Sequence, residues 1–179
     1  RSGGGAVRQI IADIQRRCDE QMASPDSQAQ PPESECCILA QWGSDSYYSI
    51  VIAGKQGIPA IVRAMQMFPN HRGLQECCCL ALGNLCNGNH SSLIAVENAG
   101  GVKQIVDAMR NHPQSVAVQS AACDALRNTS GLILDHAQAG TSSIVPELII
   151  VLSHCREMYL RPVHKHIAEV LLQSLVNIP

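Results

Sequence analysis

Apolar residues recur along this chain with the period of a helix. From Gly101 they fall at Val102, Ile105, Val106 and Met109. That is the i, i+3, i+4, i+7 spacing that lines one face of an α-helix. Pro113 closes the segment, because the residue before a proline is biased away from the α region. A second series, Val118, Ala122, Ala125, Leu126 and Thr129, predicts a second helix. A short third helix over 90–96 leads into Ala99-Gly100, and a counterpart leads into Ala139-Gly140. No segment shows a convincing strand pattern.

The pattern repeats. Gly57-Ile58-Pro59-Ala60-Ile61-Val62-Arg63-Ala64-Met65 matches Gly101-Val102-Lys103-Gln104-Ile105-Val106-Asp107-Ala108-Met109, an offset of 44 (57 to 101). The same offset carries Pro69 onto Pro113, Gln75 onto Gln119, Cys79 onto Cys123, Leu82 onto Leu126 and Asn84 onto Asn128. Weaker copies precede and follow. Residues 5–11 resemble 100–106, and Glu35-Cys36-Cys37-Ile38-Leu39-Ala40 resembles Glu76-Cys77-Cys78-Cys79-Leu80-Ala81. A polar insertion over 24–34, with Pro25, Pro31 and Pro32, reads as slack between two helices, with a partner-specific loop as the alternative. At the other end, residues 145–149 and 163–171 follow the same plan without its glycines. The units are 6–45 with the insertion, 46–89, 90–132 and 133–179, and they form a single domain. The first lacks its short helix. The apolar last helix (Ile167, Val170, Leu171, Leu175, Val176) leads us to expect a piece of a longer stack or a partner-covered end.

Composition narrows the class. Hydrophobic residues make up 46% of the chain, but aromatic residues only 3%. Small aliphatic side chains and cysteine must fill the core, which suits close-packed helices better than a β-sandwich. Acidic side chains match or outnumber basic ones in every unit-sized segment, with a net charge of -2. No basic footprint for nucleic acid is present. No run of apolar residues is long enough to span a membrane. The first five residues, Arg1 to Gly5, read as a flexible linker without a signal-peptide pattern. Nine cysteines, several contiguous, argue against a disulfide framework and for reduced thiols in a reducing compartment, cytoplasmic or nuclear.

Three helices in about 40 residues, a Gly-aliphatic start, a mid-repeat Pro, and Ala81-Leu82-Gly83-Asn84 and Ala125-Leu126-Arg127-Asn128 resemble armadillo repeats. HEAT repeats are the nearest alternative, but the short first helix and the Gly junctions favour the armadillo plan. The resemblance implies an all-α, right-handed α-solenoid of about four repeats, two clear and two degenerate. It also implies a non-catalytic protein–protein interaction scaffold with a protein or peptide partner. In the family's peptide-binding members the Asn of this segment faces a concave groove and holds an extended peptide, since an amide both donates and accepts. Carried over, that role falls on Asn84 and Asn128.

Helical steps extend the stripe to Leu80 and Cys77 in one unit and to Asp124 and Ala121 in the next. The last unit offers Gln173 and Glu169. The first offers Leu39 and Gly43, with Trp42 one residue away. In an importin-alpha-like mode a Trp precedes each Asn by four positions. Here those positions hold Leu80 and Asp124, so binding of a nuclear localisation signal is disfavoured. A structural subunit of a larger complex is the alternative outside groove binding. The groove reading predicts that Asn84→Ala together with Asn128→Ala weakens partner binding at unchanged thermal stability, whereas the structural-subunit reading predicts that both substitutions are tolerated. Catalysis, metal binding and a cofactor are not expected. No Gly-rich phosphate loop or Gly-x-Ser-x-Gly is present, and the cysteines and histidines sit on helices or in turns without ligand spacing.

Overall fold

The computed structural model of the chain describes residues 3–24 and 29–130, with Ile149, Ser153, His166, Glu169, Val170, Leu172 and Gln173 beyond them. The unit expected over 133–179, including Ala139-Gly140, lies outside the described residues apart from those seven positions. Eight helices make up the described part: α1 (Gly3–Ala23), α2 (Glu33–Gly43), α3 (Ser46–Gly54), α4 (Gly57–Met67), α5 (Arg72–Cys86), α6 (His90–Asn98), α7 (Gly101–Asn111) and α8 (Val116–Asn128). Among the described residues there is no strand.

Each long helix buries the stripe its spacing defines. Helix α1 buries Val7, Ile11, Ile14 and Cys18, and α2 buries Cys36, Leu39, Ala40 and Gly43. Helix α8 buries Val118, Ala122, Ala125 and Leu126, and Thr129 just beyond it is buried too. The helices form two rows. Helices α2, α5 and α8 pack side by side, α1, α4 and α7 form the second row, and each row covers the other. The short α3 and α6 bridge consecutive pairs. The core between the rows is continuous and rich in Ala and Cys. Small side chains let the helix backbones approach. At Gly83 of α5 an added Cβ would stand 3.0 Å from the Ala125 Cα of α8.

The 44-residue offset holds at the helix ends, where backbone groups lack intrahelical partners. Asp45 caps α3 by accepting from the Tyr47 and Tyr48 N–H groups. Its equivalent, Asn89, caps α6 through the Ser92 N–H. His71 Nδ1 accepts from the Leu74 N–H at the start of α5, and Ser115 Oγ accepts from the Val118 N–H at the start of α8. Gln56 and Gly100, also equivalent, precede α4 and α7 with φ of 64° and 71°. The following Gly57 and Gly101 seat against Ile52 and Val96 of the preceding short helices, leaving no room for a Cβ.

Buried polar groups repeat in the same way. Gln75 Nε2 donates to Met65 O and Phe68 O at 3.0 Å each, closing the end of α4. Gln119 Nε2 donates to Met109 O at 2.8 Å and His112 O at 3.0 Å, closing the end of α7. His112 Nε2 lies 2.9 Å from Pro69 O and ties the turns of two units together.

Two expectations are corrected. The glycines at the N-terminus are not a linker: α1 starts at Gly3, and a Cβ there would stand 2.9 Å from the Tyr48 ring. The insertion is not slack at its C-terminal end. Arg17 of α1 donates to Gln30 O at 3.3 Å and pairs with Glu35 at 2.8 Å, and Pro32 is buried. Residues 25–28 of the insertion lie outside the described residues.

Candidate interaction face

Helices α2, α5 and α8 present one side to the core and the other outward. On α5 the outward side carries Leu80, 37% exposed, and the half-buried Asn84. On α8 the equivalent positions are Asp124 and Asn128, both half-buried. On α2 the row passes through Ile38, 36% exposed, and half-buried Trp42. Leu39 and Gly43 are buried, which corrects the register expected for the first unit. The cysteine-rich match between 35–40 and 76–81 placed the helix one position out of phase.

Other members of the expected stripe do not reach the surface. Ala121 is only 3% exposed and packs into the core. Cys77 is 9% exposed and is joined to Cys37 of α2 in a disulfide, with the Cα atoms 4.9 Å apart. The expectation of reduced thiols throughout is therefore corrected. Contiguity speaks only against bridges between neighbours on one helix, and this bridge crosses two helices. Glu169 and Gln173 are exposed.

The asparagines join the helices. Asn84 Nδ2 donates to Ala40 O of α2 at 2.9 Å. Asn128 Nδ2 donates to Gly83 O of α5 at 2.8 Å. Each amide thus has one N–H engaged by the neighbouring unit and keeps Oδ1 to offer. A hydrogen bond of this kind contributes about 1 kcal/mol, so replacing these residues does not leave stability unchanged. That overturns the premise of the double substitution.

Aromatic side chains gather beside the face, a feature the sequence reading missed. Trp42 stacks on Tyr48 with ring centroids 5.0 Å apart, and Tyr47 meets Tyr48 edge-on at 5.3 Å. Tyr47 and Ile50 are 53% and 66% exposed. Tyr47-Tyr48 falls at the start of a short helix, where nothing in the spacing points to Trp42. A cleft of about 550 Å³ adjoins this cluster, between the ends of α2 and α5 and the starts of α3 and α6. Ser44, Ser49, Asn84, Asn87 and Asn89 contribute to its wall, which has no acidic side chain. It offers neutral hydrogen-bonding groups next to apolar ones.

The remaining described cysteines, Cys18, Cys36, Cys78, Cys79, Cys86 and Cys123, are buried free thiols. Burial pushes the Cys18 thiol up to about 11 and those of Cys79 and Cys86 up to about 12. Thiols held protonated in this way are poor nucleophiles and poor metal ligands. Among the described residues no group of three or more His, Cys, Asp or Glu side chains is placed to hold a metal ion. None of the described helices is long and apolar enough to cross a membrane.

No family model matches the chain, and no solved structure matches it. It is similar to a curated protein, "Protein aardvark" of Dictyostelium discoideum, with 36% identity over 86 residues. The match covers 44% of this chain and spans 11% of that relative's length.

Proposed function

We propose that the chain is a right-handed α-solenoid of armadillo-type repeats and serves as a non-catalytic protein–protein interaction scaffold. Two rows of helices, with the N-caps of α3, α4 and α5 and the buried glutamine recurring 44 residues on in α6, α7 and α8, support the repeat reading. The observation that carries the function is the outward side of α2 and α5. It exposes Ile38 and Leu80 beside half-buried Trp42, while the core beneath is closed by Leu39, Leu82 and Leu85. Exposed apolar side chains grouped on one face, with an aromatic at the edge, mark protein-binding surfaces. A mode in which the asparagines clamp an extended peptide is the weaker reading, because one N–H of each amide already holds the neighbouring helix.

The test replaces Ile38 and Leu80 together by Glu in the full chain. Circular dichroism and the thermal midpoint should stay close to those of the parent, since both residues are outward. Proteins captured by the parent from a cell extract should be lost or reduced at least tenfold. Equal capture by the two chains, with both folded, would sink the proposal.

A further inference from the structure

The α2–α5 contact holds four cysteines arranged as two pairs. The outer pair, Cys37 and Cys77, is the disulfide. The inner pair, Cys36 and Cys78, is fully buried and reduced, with a hydrogen bond between the thiols. We propose that Cys37–Cys77 is a reversible thiol-oxidation site that exchanges with low-molecular-weight thiols and disulfides of the glutathione class. It is not a permanent structural bridge. This proposal does not depend on the interaction reading above.

Three observations carry it. The first is access. Cys37 is half-buried and Cys77 lies at the edge of the core, whereas the six other described cysteines are buried free thiols. An external thiol therefore meets this pair first. The second is redundancy. Helices α2 and α5 are already joined by buried Leu39, Leu82 and Leu85 and by the Asn84–Ala40 hydrogen bond. Domains that require a disulfide are those without such a core. With the helices held by other contacts, the two thiols stay adjacent after reduction, and the bond re-forms without a backbone search. The third is containment. The inner pair sits one residue away on each helix, yet burial and the hydrogen bond push the Cys78 thiol well above its ordinary range. It does not attack the bridge, so exchange comes from outside.

The step balances as thiol–disulfide exchange. An external thiolate attacks the Sγ of Cys37, the more exposed of the two residues, and the Cys37–Cys77 bond breaks. Cys77 leaves as a thiolate and takes a proton. A second external thiolate then attacks the external sulfur of the mixed disulfide and releases Cys37. Two thiols become one low-molecular-weight disulfide, and two electrons pass to the protein. Oxidation is the reverse.

The experiment equilibrates the full chain in buffers of graded reduced and oxidised glutathione. It then quenches with acid, alkylates in denaturant and counts labels by mass spectrometry of peptides. Labelling of Cys37 and Cys77 should rise together by two thiols. The reduced-to-oxidised ratio should change tenfold for each tenfold change in [GSH]²/[GSSG]. A bridge that opens only when the protein is unfolded overturns the proposal, and so does a pair that is reduced in every buffer. Cys77→Ser gives a second reading. It should keep the helical circular dichroism spectrum and take one glutathione on Cys37. If the variant unfolds, the bridge is structural; if it folds and takes none, the site is closed. Either result overturns the proposal.

Discussion

A polar side chain beneath a helix end is costly unless its amide is hydrogen-bonded. Gln75, 2% exposed, meets that condition through two carbonyls at the end of α4, and Gln119 does so at the end of α7. Met65 O and Met109 O have no N–H partner within their helices, so the glutamine supplies it, while Phe68 O and His112 O also accept from the His71 and Ser115 N–H groups of the turns. Gln75→Leu keeps the volume and removes the donor, leaving Met65 O unpaired in the interior and Phe68 O with the His71 N–H alone. It should cost about 2 kcal/mol, read as a lower urea midpoint at unchanged slope. An unshifted midpoint would show that the two bonds contribute nothing net. The recurrence of Gln75 as Gln119 was visible in the sequence, but its role was not. An isolated Gln in a helical segment reads as surface, and only the fold of α4 back over α5 places two carbonyls against it. The asparagines were likewise found by their offset, and their partners, Ala40 O and Gly83 O, belong to neighbouring units that no local pattern reveals.

At the scale of elements, the long helices were legible because their punctuation agrees with their periodicity. Pro69 and Pro113 follow the ends of α4 and α7, and Gly57 and Gly101 open them. The register of α2 was not legible. Its Cys-Ile-Leu-Ala run resembles two phases of the α5 sequence, and only burial separates Ile38 from Leu39. The turn before each long second-row helix has a requirement the sequence meets unequally. Residue 56 and residue 100 both take the left-handed conformation, but one is Gln and the other Gly. A non-glycine residue there is strained by roughly 1–2 kcal/mol. Gly100→Gln should therefore lower stability by about 1 kcal/mol. Gln56→Gly should raise it by about 0.5 kcal/mol, strain relief being partly offset by glycine's greater freedom when unfolded. Thermal or urea midpoints that move in the same direction for both substitutions would refute the shared turn.

At the scale of the whole molecule, the helical core uses cysteine where aromatic side chains are scarce, and this makes its stability depend on pH. The buried thiol reading was legible from the equivalence of Cys79 and Cys123; the resulting titration is a property of the packed core. Cys79 and Cys86 are 0% and 1% exposed, and burial raises both from near 9.0 to about 12. Above pH 9 the unfolded chain releases these protons and the folded chain does not. The folded state then binds more protons than the unfolded one, so stability falls as pH rises. The contribution is complete below pH 9 and is lost progressively towards pH 12. Between pH 8 and pH 10 each thiol removes about 1.4 kcal/mol, and Cys78, raised in the same direction, adds to the loss. Urea unfolding at the two pH values measures this, in a background carrying Cys37→Ser and Cys77→Ser so that disulfide exchange does not interfere. Cys79→Ala in that background should lower stability at both pH values through its cavity. It should also narrow the difference between them by about 1.4 kcal/mol. An equal difference with and without the Cys79 thiol would mean that other groups govern the alkaline transition.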